Sequence, residues 1–414
     1  MRKKIFVKGP VLSQSGYGEQ SRFALRALKS REDLFDIYVN PIPWGQTGWI
    51  WEDNEFRRWL DSRITETQIL VNQQKLQPDI SLQITIPNEF EKMCPVNIGY
   101  TAGIETSHVA PVWLQKGNEM DKILVVSNHA KDTYVNTTAQ AQNTDTNEVF
   151  PYKLQTQVDV VWESTPQEEP EEIPGLELDF EQNMLMVSQI SPRKNLQNAI
   201  TWWVEEFIDQ EVGLIVKTNT RGNCRMDREF TDAMLSKALE NYPQRKCKVY
   251  LLHGDLSSGQ MCWLYRHDKI KSLVNIAHGE GFGLPLFEAA REALPVTTIG
   301  WSGHLDFLSF EGKNYFNEVE FKLDKIQQEA HWSGVLEPTS EWAYADQGSY
   351  KMCIRKAFKE YDSLKEQALE LQKIINDKYS DEVLYEGFVK SIYGDNIDVD
   401  NWLQELEEGL VFDD

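Results

Sequence analysis

The stretch His278-Gly-Glu-Gly-Phe-Gly-Leu-Pro-Leu-Phe-Glu-Ala-Ala-Arg291 decides the predicted fold. It follows Ser272–Ala277, a short apolar run typical of a buried strand, and from Leu284 onward its apolar residues recur near the helical period. The glycines between the two elements let the backbone approach a ligand closely. The unit is therefore predicted to be strand, glycine loop and helix, with free N–H groups and the positive end of a helix directed at a phosphate.

Two carboxylates frame this loop. Glu280 lies within it, and Glu288 lies about one turn into the predicted helix. A carboxylate accepts hydrogen bonds from hydroxyl groups but is a poor ligand for phosphate. Two such groups beside a phosphate-binding loop therefore suggest that hydroxyls are bound, as on a sugar and a ribose.

Length and charge narrow the class of protein. The chain has 414 residues, which favours two domains. Its 65 acidic and 42 basic residues give a net charge of −23, which argues against wrapping nucleic acid or lying on anionic lipid. Nucleic acid is thus an unlikely partner.

Location is predicted from the cysteines and from hydropathy. Five dispersed cysteines without Cys-x-x-Cys spacing suit a reducing compartment, so we expect a cytoplasmic protein. No apolar run approaches the length of a membrane span, so none is predicted.

Strand and helix patterns alternate along both halves of the chain. Lys4–Lys8 is a strand candidate that leads through a glycine-containing loop into a helix over Glu19–Leu28, and Met184–Val187 restarts the same rhythm. Such alternation predicts parallel sheets. The fold class is therefore α/β, with two Rossmann-like doubly wound domains whose carboxyl edges face one another across a cleft.

The domain boundaries follow from composition. The first domain is predicted over residues 1–165, a linker rich in proline and acid over 166–178, and the second domain over 179–378. A helix over 379–394 and an acidic tail over 395–414 complete the chain.

Three further segments have predicted structures. The polar stretch Thr137–Asn147 is expected to be an exposed loop, and Ser349–Lys373 a single long helix. The tryptophan-rich loop Pro41–Trp51 has two interpretations, because its indoles can stack on sugar rings or pack beneath the loop.

Polar residues after two predicted strands are site candidates. Glu105 and His108 follow the strand Val96–Tyr100 and are candidates to contact substrate hydroxyls or a proton, although His108 could equally be a capping or core histidine. Arg193 and Lys194 follow the first strand of the second half. With the N–H groups at 281–283 they describe a diphosphate site, the alternative for this basic pair being a solvated turn.

The whole motif resembles the signature of the retaining glycosyltransferases of family GT4, which have the GT-B fold. The resemblance extends over most of residues 1–394 and is densest in the second half. Further matching segments are Val126-Ser-Asn-His-Ala-Lys-Asp-Thr-Tyr134, Ser191-Pro-Arg-Lys-Asn-Leu196, Val249-Tyr-Leu-Leu-His-Gly-Asp-Leu-Ser-Ser-Gly-Gln260, Trp263-Leu-Tyr-Arg-His267, Leu294-Pro-Val296 and Gly303-His-Leu-Asp-Phe307.

The resemblance implies transfer of a sugar from a UDP- or GDP-linked donor to a hydroxyl acceptor, which is a glycan, a lipid-linked or a small molecule. The second domain would bind the donor and the first the acceptor, and the C-terminal helix would cross back to the first domain. Retention in this family resembles front-face displacement assisted by the leaving phosphate, so neither a separate base nor a metal or other cofactor is expected.

The resemblance also implies roles for single residues. Glu280 would act in catalysis at the donor sugar, with His108 as the first-domain polar group near that sugar, and Glu105 is an acceptor-side candidate. The donor-binding residues would be Glu288 at the ribose and, at the phosphates, Lys194, Arg193, Gly281, Phe282, Gly283, Gly16 and Gly18.

One departure and several alternatives accompany this assignment. The family often has an arginine about five residues before the lysine, where this chain has Gln189, which leaves the phosphate role of Arg193 open. The alternatives are a glycosyltransferase that acts on modified DNA, a catalytically silent GT-B binding protein, and an epimerase or phosphorylase of the same fold.

Overall fold

The structure is a computed structural model that describes residues 2–143 and 145–394. It confirms the predicted fold class, because each half of the chain forms a six-stranded parallel sheet covered by helices. The predicted acidic tail, 395–414, lies outside the described residues.

The first sheet has the strand order β2-β1-β3-β4-β5-β8. An antiparallel pair, β6 and β7, stands apart from it. The strands of this half are β1 (Lys3–Gly9), β2 (Phe35–Pro41), β3 (Ile80–Ile84), β4 (Val96–Thr101), β5 (Lys122–Val125), β6 (Thr138–Gln142), β7 (Val149–Lys153) and β8 (Val158–Val160). The helices are α1 (Gly16–Lys29), α2 (Glu55–Asn72), α3 (Pro111–Gly117) and α4 (Asn128–Asn136).

The second sheet has the order β11-β10-β9-β12-β13-β16. The strands of this half are β9 (Asn183–Val187), β10 (Gly213–Lys217), β11 (Lys248–Leu252), β12 (Ile270–Asn275), β13 (Val296–Ile299), β14 (Ser309–Phe310), β15 (Lys313–Asn314), β16 (Asn317–Val319), β17 (Phe321–Lys325) and β18 (Glu341–Ala345). The helices are α5 (Leu196–Phe207), α6 (Arg225–Leu239), α7 (Ser258–Arg266), α8 (Leu284–Arg291), α9 (Leu305–Leu308), α10 (Gln347–Lys359), α11 (Tyr361–Lys378) and α12 (Asp381–Tyr393).

Two predicted elements are wrong. The stretch expected to be an exposed loop, Thr137–Asn147, contributes strand β6, which pairs with β7 in an antiparallel register. The predicted single helix over Ser349–Lys373 is broken at Glu360, where φ is −114° and ψ is 28°. The break follows from packing, because α10 contacts α5 and α11 contacts α8, so the chain must change direction between them.

A segment for which the sequence predicted no structure connects the two domains. Residues 321–345, called the strap here, contain the antiparallel strands β17 and β18 and extend from the second domain to the first. The backbone carbonyl of Gly334 accepts hydrogen bonds from Asn88 Nδ2 (2.9 Å) and Trp113 Nε1 (3.1 Å). Ser107 N donates to Glu341 O at 2.8 Å. The strap thus holds the domains together beside the cleft.

The C-terminal helix α12 crosses back to the first domain as expected. Ser380 caps it by accepting a hydrogen bond from Val383 N. Its inner face packs on α1 and β4, with Phe388 5.8 Å from Phe23 and 5.6 Å from Tyr100 between ring centroids. Among the described residues, no helix is long and apolar enough to cross a membrane.

Candidate active site

The site forms where two loops of the second domain lie side by side. Strands β9 and β12 are neighbours in the sheet, so the loops that follow them leave the same carboxyl edge. His278 N donates to Arg193 O at 2.8 Å, which ties the glycine loop to the basic turn Pro192–Lys194. Asn195 then adopts the left-handed conformation, with φ of 50°, and starts helix α5. The structure therefore brings the predicted basic pair and the predicted acidic motif together.

Glu280 is a buried, fully bonded carboxylate. Its oxygens accept hydrogen bonds from Lys194 Nζ (2.6 and 2.7 Å), Arg193 Nη1 (2.9 Å) and Asn275 Nδ2 (3.0 Å). Burial alone would raise the pKa of Glu280, but the two cations and the hydrogen bonds outweigh it and hold that pKa well below its usual range. Glu280 is therefore ionised at neutral pH.

Arg193 connects the two walls of the cleft. Its Nη1 lies 2.9 Å from Glu280 Oε2 in the second domain and 3.2 Å from Glu105 Oε1 in the first. Burial lowers the pKa of Arg193, but these two carboxylates outweigh that effect and raise it. Glu105, the predicted acceptor-side residue, thus contacts the same guanidinium as Glu280.

The glycine loop lies close to the first domain. A Cβ atom at Gly281 would lie 2.6 Å from the carbonyl oxygen of Ala102, and one at Gly279 would lie 2.8 Å from that of Glu105. Among the described residues, the N–H groups of Gly281, Phe282 and Gly283 have no hydrogen-bond acceptor. These donors are available to an anion beside the start of α8.

Glu288 lies on α8 and lines the same cleft. It accepts a hydrogen bond from Tyr265 Oη at 2.8 Å, which fixes the orientation of its carboxylate. Burial raises the pKa of Glu288, and the Tyr265 hydrogen bond and Arg291 only partly oppose this. A ligand that donates hydroxyl hydrogens to this carboxylate would favour its charged form.

The two glycines predicted in the first-domain loop have different surroundings. Gly16 is exposed and lines the cleft at the start of α1, whose N-cap is Ser15. Gly18 is buried, and a Cβ there would overlap the carbonyl oxygen of Ser13. Gly18 is thus needed for the close turn, and only Gly16 is placed to meet a ligand.

The structure does not bring His108 into the cleft. Its Nε2 lies 3.0 Å from Thr339 Oγ1 and 3.3 Å from Ser340 Oγ, both on the strap. Its Nδ1 lies 3.3 Å from Ser107 Oγ. The strap thus engages the ring of His108 at the domain interface, and its predicted role beside the donor sugar stays a prediction.

Several cleft residues were missed by sequence reasoning. Lys217, at the carboxyl end of β10, lines the cleft and donates to Gly254 O at 2.8 Å. The position of Lys217 could have been predicted from the sequence, because a lysine at the end of a parallel strand beside β9 lies at the carboxyl edge, where ligands bind. Gln20 and Glu163 line the first-domain wall, and no sequence pattern marked them.

The cleft has a volume of about 650 Å³ and lies between the two sheets. Its second-domain wall carries Lys194, Lys217 and Arg221, and its first-domain wall carries Glu19, Glu52 and Glu163. Such a site can bind an anion with free N–H groups and cations on one wall, and hydroxyl groups with carboxylates on the other.

Comparison with known proteins gives structural but not sequence matches. No protein-family model matches the chain, and no curated protein sequence does either. The crystal structure of Anabaena Alr3699/HepE in complex with UDP and glucose matches with a TM-score of 0.59 and 10% identity, covering 95% of this chain and 100% of that chain.

Two further solved structures match along almost their whole length. Sucrose-phosphate synthase from Thermosynechococcus elongatus matches with a TM-score of 0.59 and 12% identity, over 95% of this chain and 99% of that chain. The trehalose-6-phosphate protein from E. coli bound with UDP-2-fluoro glucose matches with a TM-score of 0.56 and 12% identity, over 94% and 98%. With its two facing parallel sheets and its returning C-terminal helix, the chain has the two-domain GT-B fold of these proteins.

Proposed function

We propose that this protein is a retaining glycosyltransferase of the GT4 type that moves a sugar from a nucleotide-diphosphate sugar to a hydroxyl acceptor. The observation that carries the proposal is the position of Glu280, an ionised carboxylate held by Lys194 and Arg193 beside three unbonded loop N–H groups. A nucleotide-sugar donor is supported by two of the matched structures, one in complex with UDP and glucose and the other bound with UDP-2-fluoro glucose. Retention rests on the resemblance of residues 278–291 to the family signature.

Donor binding is assigned to the second-domain wall. The diphosphate would lie against the N–H groups of Gly281, Phe282 and Gly283, with Lys194 in the turn after β9 and Lys217 at the end of β10 beside it. Glu288, oriented by Tyr265, would accept hydrogen bonds from the ribose hydroxyls. The base would extend towards residues 253–260, where Gly254, Asp255 and Leu256 line the cleft.

The site can support departure of the nucleotide without a separate base. Negative charge grows on the leaving phosphate as the bond to the sugar breaks, and fixed cations and N–H groups stabilise it in a closed cleft. Positive charge grows on the sugar, and the ionised Glu280 would stabilise it or hold sugar hydroxyls. In retaining chemistry of this kind, the leaving phosphate oxygen accepts the proton of the attacking hydroxyl.

Two further proposals concern the location of the protein and the metal dependence of sugar transfer. We propose a cytoplasmic protein, and the five cysteines support this because all of them are free. We also propose that transfer needs no metal or other cofactor. Within residues 2–143 and 145–394, no group of three His, Cys, Asp or Glu side chains is arranged to hold a metal ion.

A nucleotide-sugar panel tests the proposal. Thermal unfolding of the full chain is measured with UDP, GDP and their sugar conjugates. The cognate donor should raise Tm most, because the ligand that binds the folded state most tightly stabilises it most. Glu288→Ala should reduce that shift, whereas Glu386→Ala on the exposed side of α12 should not. If no nucleotide or nucleotide sugar shifts Tm, the proposal is wrong.

A further inference from the structure

Two buried polar side chains of the first-domain wall have atoms without a hydrogen-bond partner in the described part of the chain. Glu163 is 5% exposed and Gln20 is 1% exposed. Among the described residues, Glu163 Oε2 and both amide atoms of Gln20 have no partner of hydrogen-bonding geometry. Both side chains line the cleft. Because buried polar groups are nearly always hydrogen-bonded, this pair has the character of an incomplete binding site.

The two residues converge at the carboxyl edge of the first sheet. Glu163 follows strand β8, and Gln20 lies in the second turn of α1. The Tyr100 phenol, near the end of β4, lies close to both side chains. In an open parallel sheet this edge is the one that binds ligands, so the pair lies where an acceptor facing the donor would enter.

The charged groups of this wall are largely paired with one another. Of its carboxylates, Glu19 is held by Arg22 and Arg26, and Glu105 pairs with Arg193. Of its cations, Arg22 is engaged with Glu19 and with the carbonyls of Val11 and Ser13. Arg26 is likewise engaged with Glu19 and with Ser164 O. Among the described residues, an acceptor phosphate at this wall would therefore find no cation that is not already held by a carboxylate or by backbone carbonyls, whereas a neutral hydroxyl group needs none.

We infer that Glu163 and Gln20 bind the hydroxyl groups of an acceptor that carries no phosphate, such as a neutral saccharide or polyol. This inference rests on the proposed function and specifies the acceptor side of the same cleft. Each sugar hydroxyl both donates and accepts, which is the combination that a carboxyl and an amide together can satisfy.

The ionisation of Glu163 agrees with a neutral ligand. Burial, with the charge of Glu19 added, raises the pKa of Glu163 to about 8, and Arg26 opposes this only in part. The carboxyl group is therefore mostly protonated at neutral pH. A protonated carboxyl has a donor as well as acceptors, like the hydroxyls it would meet.

The test compares neutral sugars with their phosphate esters on the full chain. Saturation-transfer NMR is recorded for glucose, fructose, maltose and glycerol, and for glucose 6-phosphate and fructose 6-phosphate, with the protein saturated by the nucleotide that raises Tm most. Glu163→Leu and Gln20→Leu remove the polar groups, and Glu163→Gln keeps a donor and an acceptor. Asp159→Asn is the control, since this nearby carboxylate pairs with Lys122 at 3.1 Å.

At least one neutral compound should bind more tightly than the phosphate esters. Its affinity should fall roughly tenfold or more in Glu163→Leu and Gln20→Leu, and much less in Glu163→Gln and Asp159→Asn. Nucleotide-induced Tm shifts show that each variant is folded. The inference is wrong if the phosphate esters bind more tightly than every neutral compound, or if no neutral compound binds while the nucleotide does. It is also wrong if both leucine variants keep full affinity for the neutral compound. Failure of every nucleotide to bind instead rejects the proposed function.

Discussion

Arg193 Nη1 lies 3.2 Å from Glu105 Oε1, so a cation of the second domain is paired with a carboxylate of the first. The same guanidinium contacts Glu280, which also holds Lys194. Two cations and two carboxylates therefore form a neutral cluster. A diphosphate bound here, as proposed, would compete with Glu105 and Glu280 for these cations, so these ion pairs should affect the affinity for the donor.

The first prediction concerns Glu105. Glu105→Gln removes one negative charge from the cluster and should tighten binding of UDP or GDP several-fold, because less carboxylate competes for Arg193. Calorimetric titration at low and high salt measures the effect, which should shrink as salt screens the charges. Glu341→Gln, on the strap, is the matched control. Weaker nucleotide binding in Glu105→Gln would show that this bridge supports the donor site.

The second prediction concerns Glu280. Glu280→Gln leaves two partly buried cations without their main partner, which should cost about 3–5 kcal/mol of folding free energy. Transfer should fall by ~10²-fold or more, as for loss of a fixed electrostatic group. Nucleotide binding should survive, and the nucleotide-induced rise in Tm should be larger than in the wild type. Near-normal turnover in this variant is incompatible with the proposed role.

The ionisation of Glu280 should make the folded protein less stable at acidic pH. Its pKa is depressed in the folded state, so it contributes stability above its ordinary value near 4.5 that is lost as the pH falls below that value. Urea unfolding between pH 6 and pH 3 should show this loss in the wild type. Glu280→Gln should lose less stability over the same range.

The proximity of the candidate residues in the second domain could be predicted from the sequence, because they lie in loops that follow neighbouring strands. The order strand, glycine loop and helix placed Glu280 and Glu288, and parallel-sheet geometry placed Lys194 beside them. The first-domain wall depends on contacts between distant segments. The contacts of His108 with Thr339 and Ser340 could not be predicted, because the strap has no local pattern that indicates where it packs.

The third prediction concerns Lys217. Lys217→Met nearly keeps the length of the side chain but removes its positive charge, which lines the cleft at the end of β10. The affinity for the donor should therefore fall roughly tenfold. Lys248→Met on the neighbouring strand β11 is the control, because Lys248 is half-exposed and pairs with Asp179. Isothermal titration with the cognate nucleotide compares the two. Equal affinities would remove Lys217 from the phosphate site.

The fourth prediction concerns the stability cost of Glu163. Its folded pKa of about 8 lies above the ordinary value of 4.5, so the stability that it contributes is present below pH 4.5 and is lost as the pH rises through 8. Glu163→Gln does not titrate. The variant should therefore gain stability relative to the wild type between pH 5 and pH 8.5, by on the order of 4 kcal/mol or less. Parallel unfolding curves across this range would show that Glu163 is ionised without cost.

The fifth prediction concerns the strap. Trp342 is fully buried, and its ring stacks on His278 at the start of the glycine loop, with centroids 4.7 Å apart and an interplanar angle of 13°. The neighbouring Ala343 N donates to His278 O at 3.1 Å, and Ala343 O lies 2.7 Å from His278 Nδ1. Trp342→Leu should therefore cost about 2–4 kcal/mol and also lower transfer, because the loop that carries Glu280 loses its support.

The same strap supplies the control for this variant. Trp332 is 57% exposed, so Trp332→Leu should leave both the unfolding free energy and transfer nearly unchanged. Urea unfolding and initial rates with the cognate donor compare the two variants with the wild type. A Trp342→Leu protein that is destabilised but transfers sugar at the wild-type rate, when assayed well below its Tm, would show that the strap holds the domains together without positioning the loop.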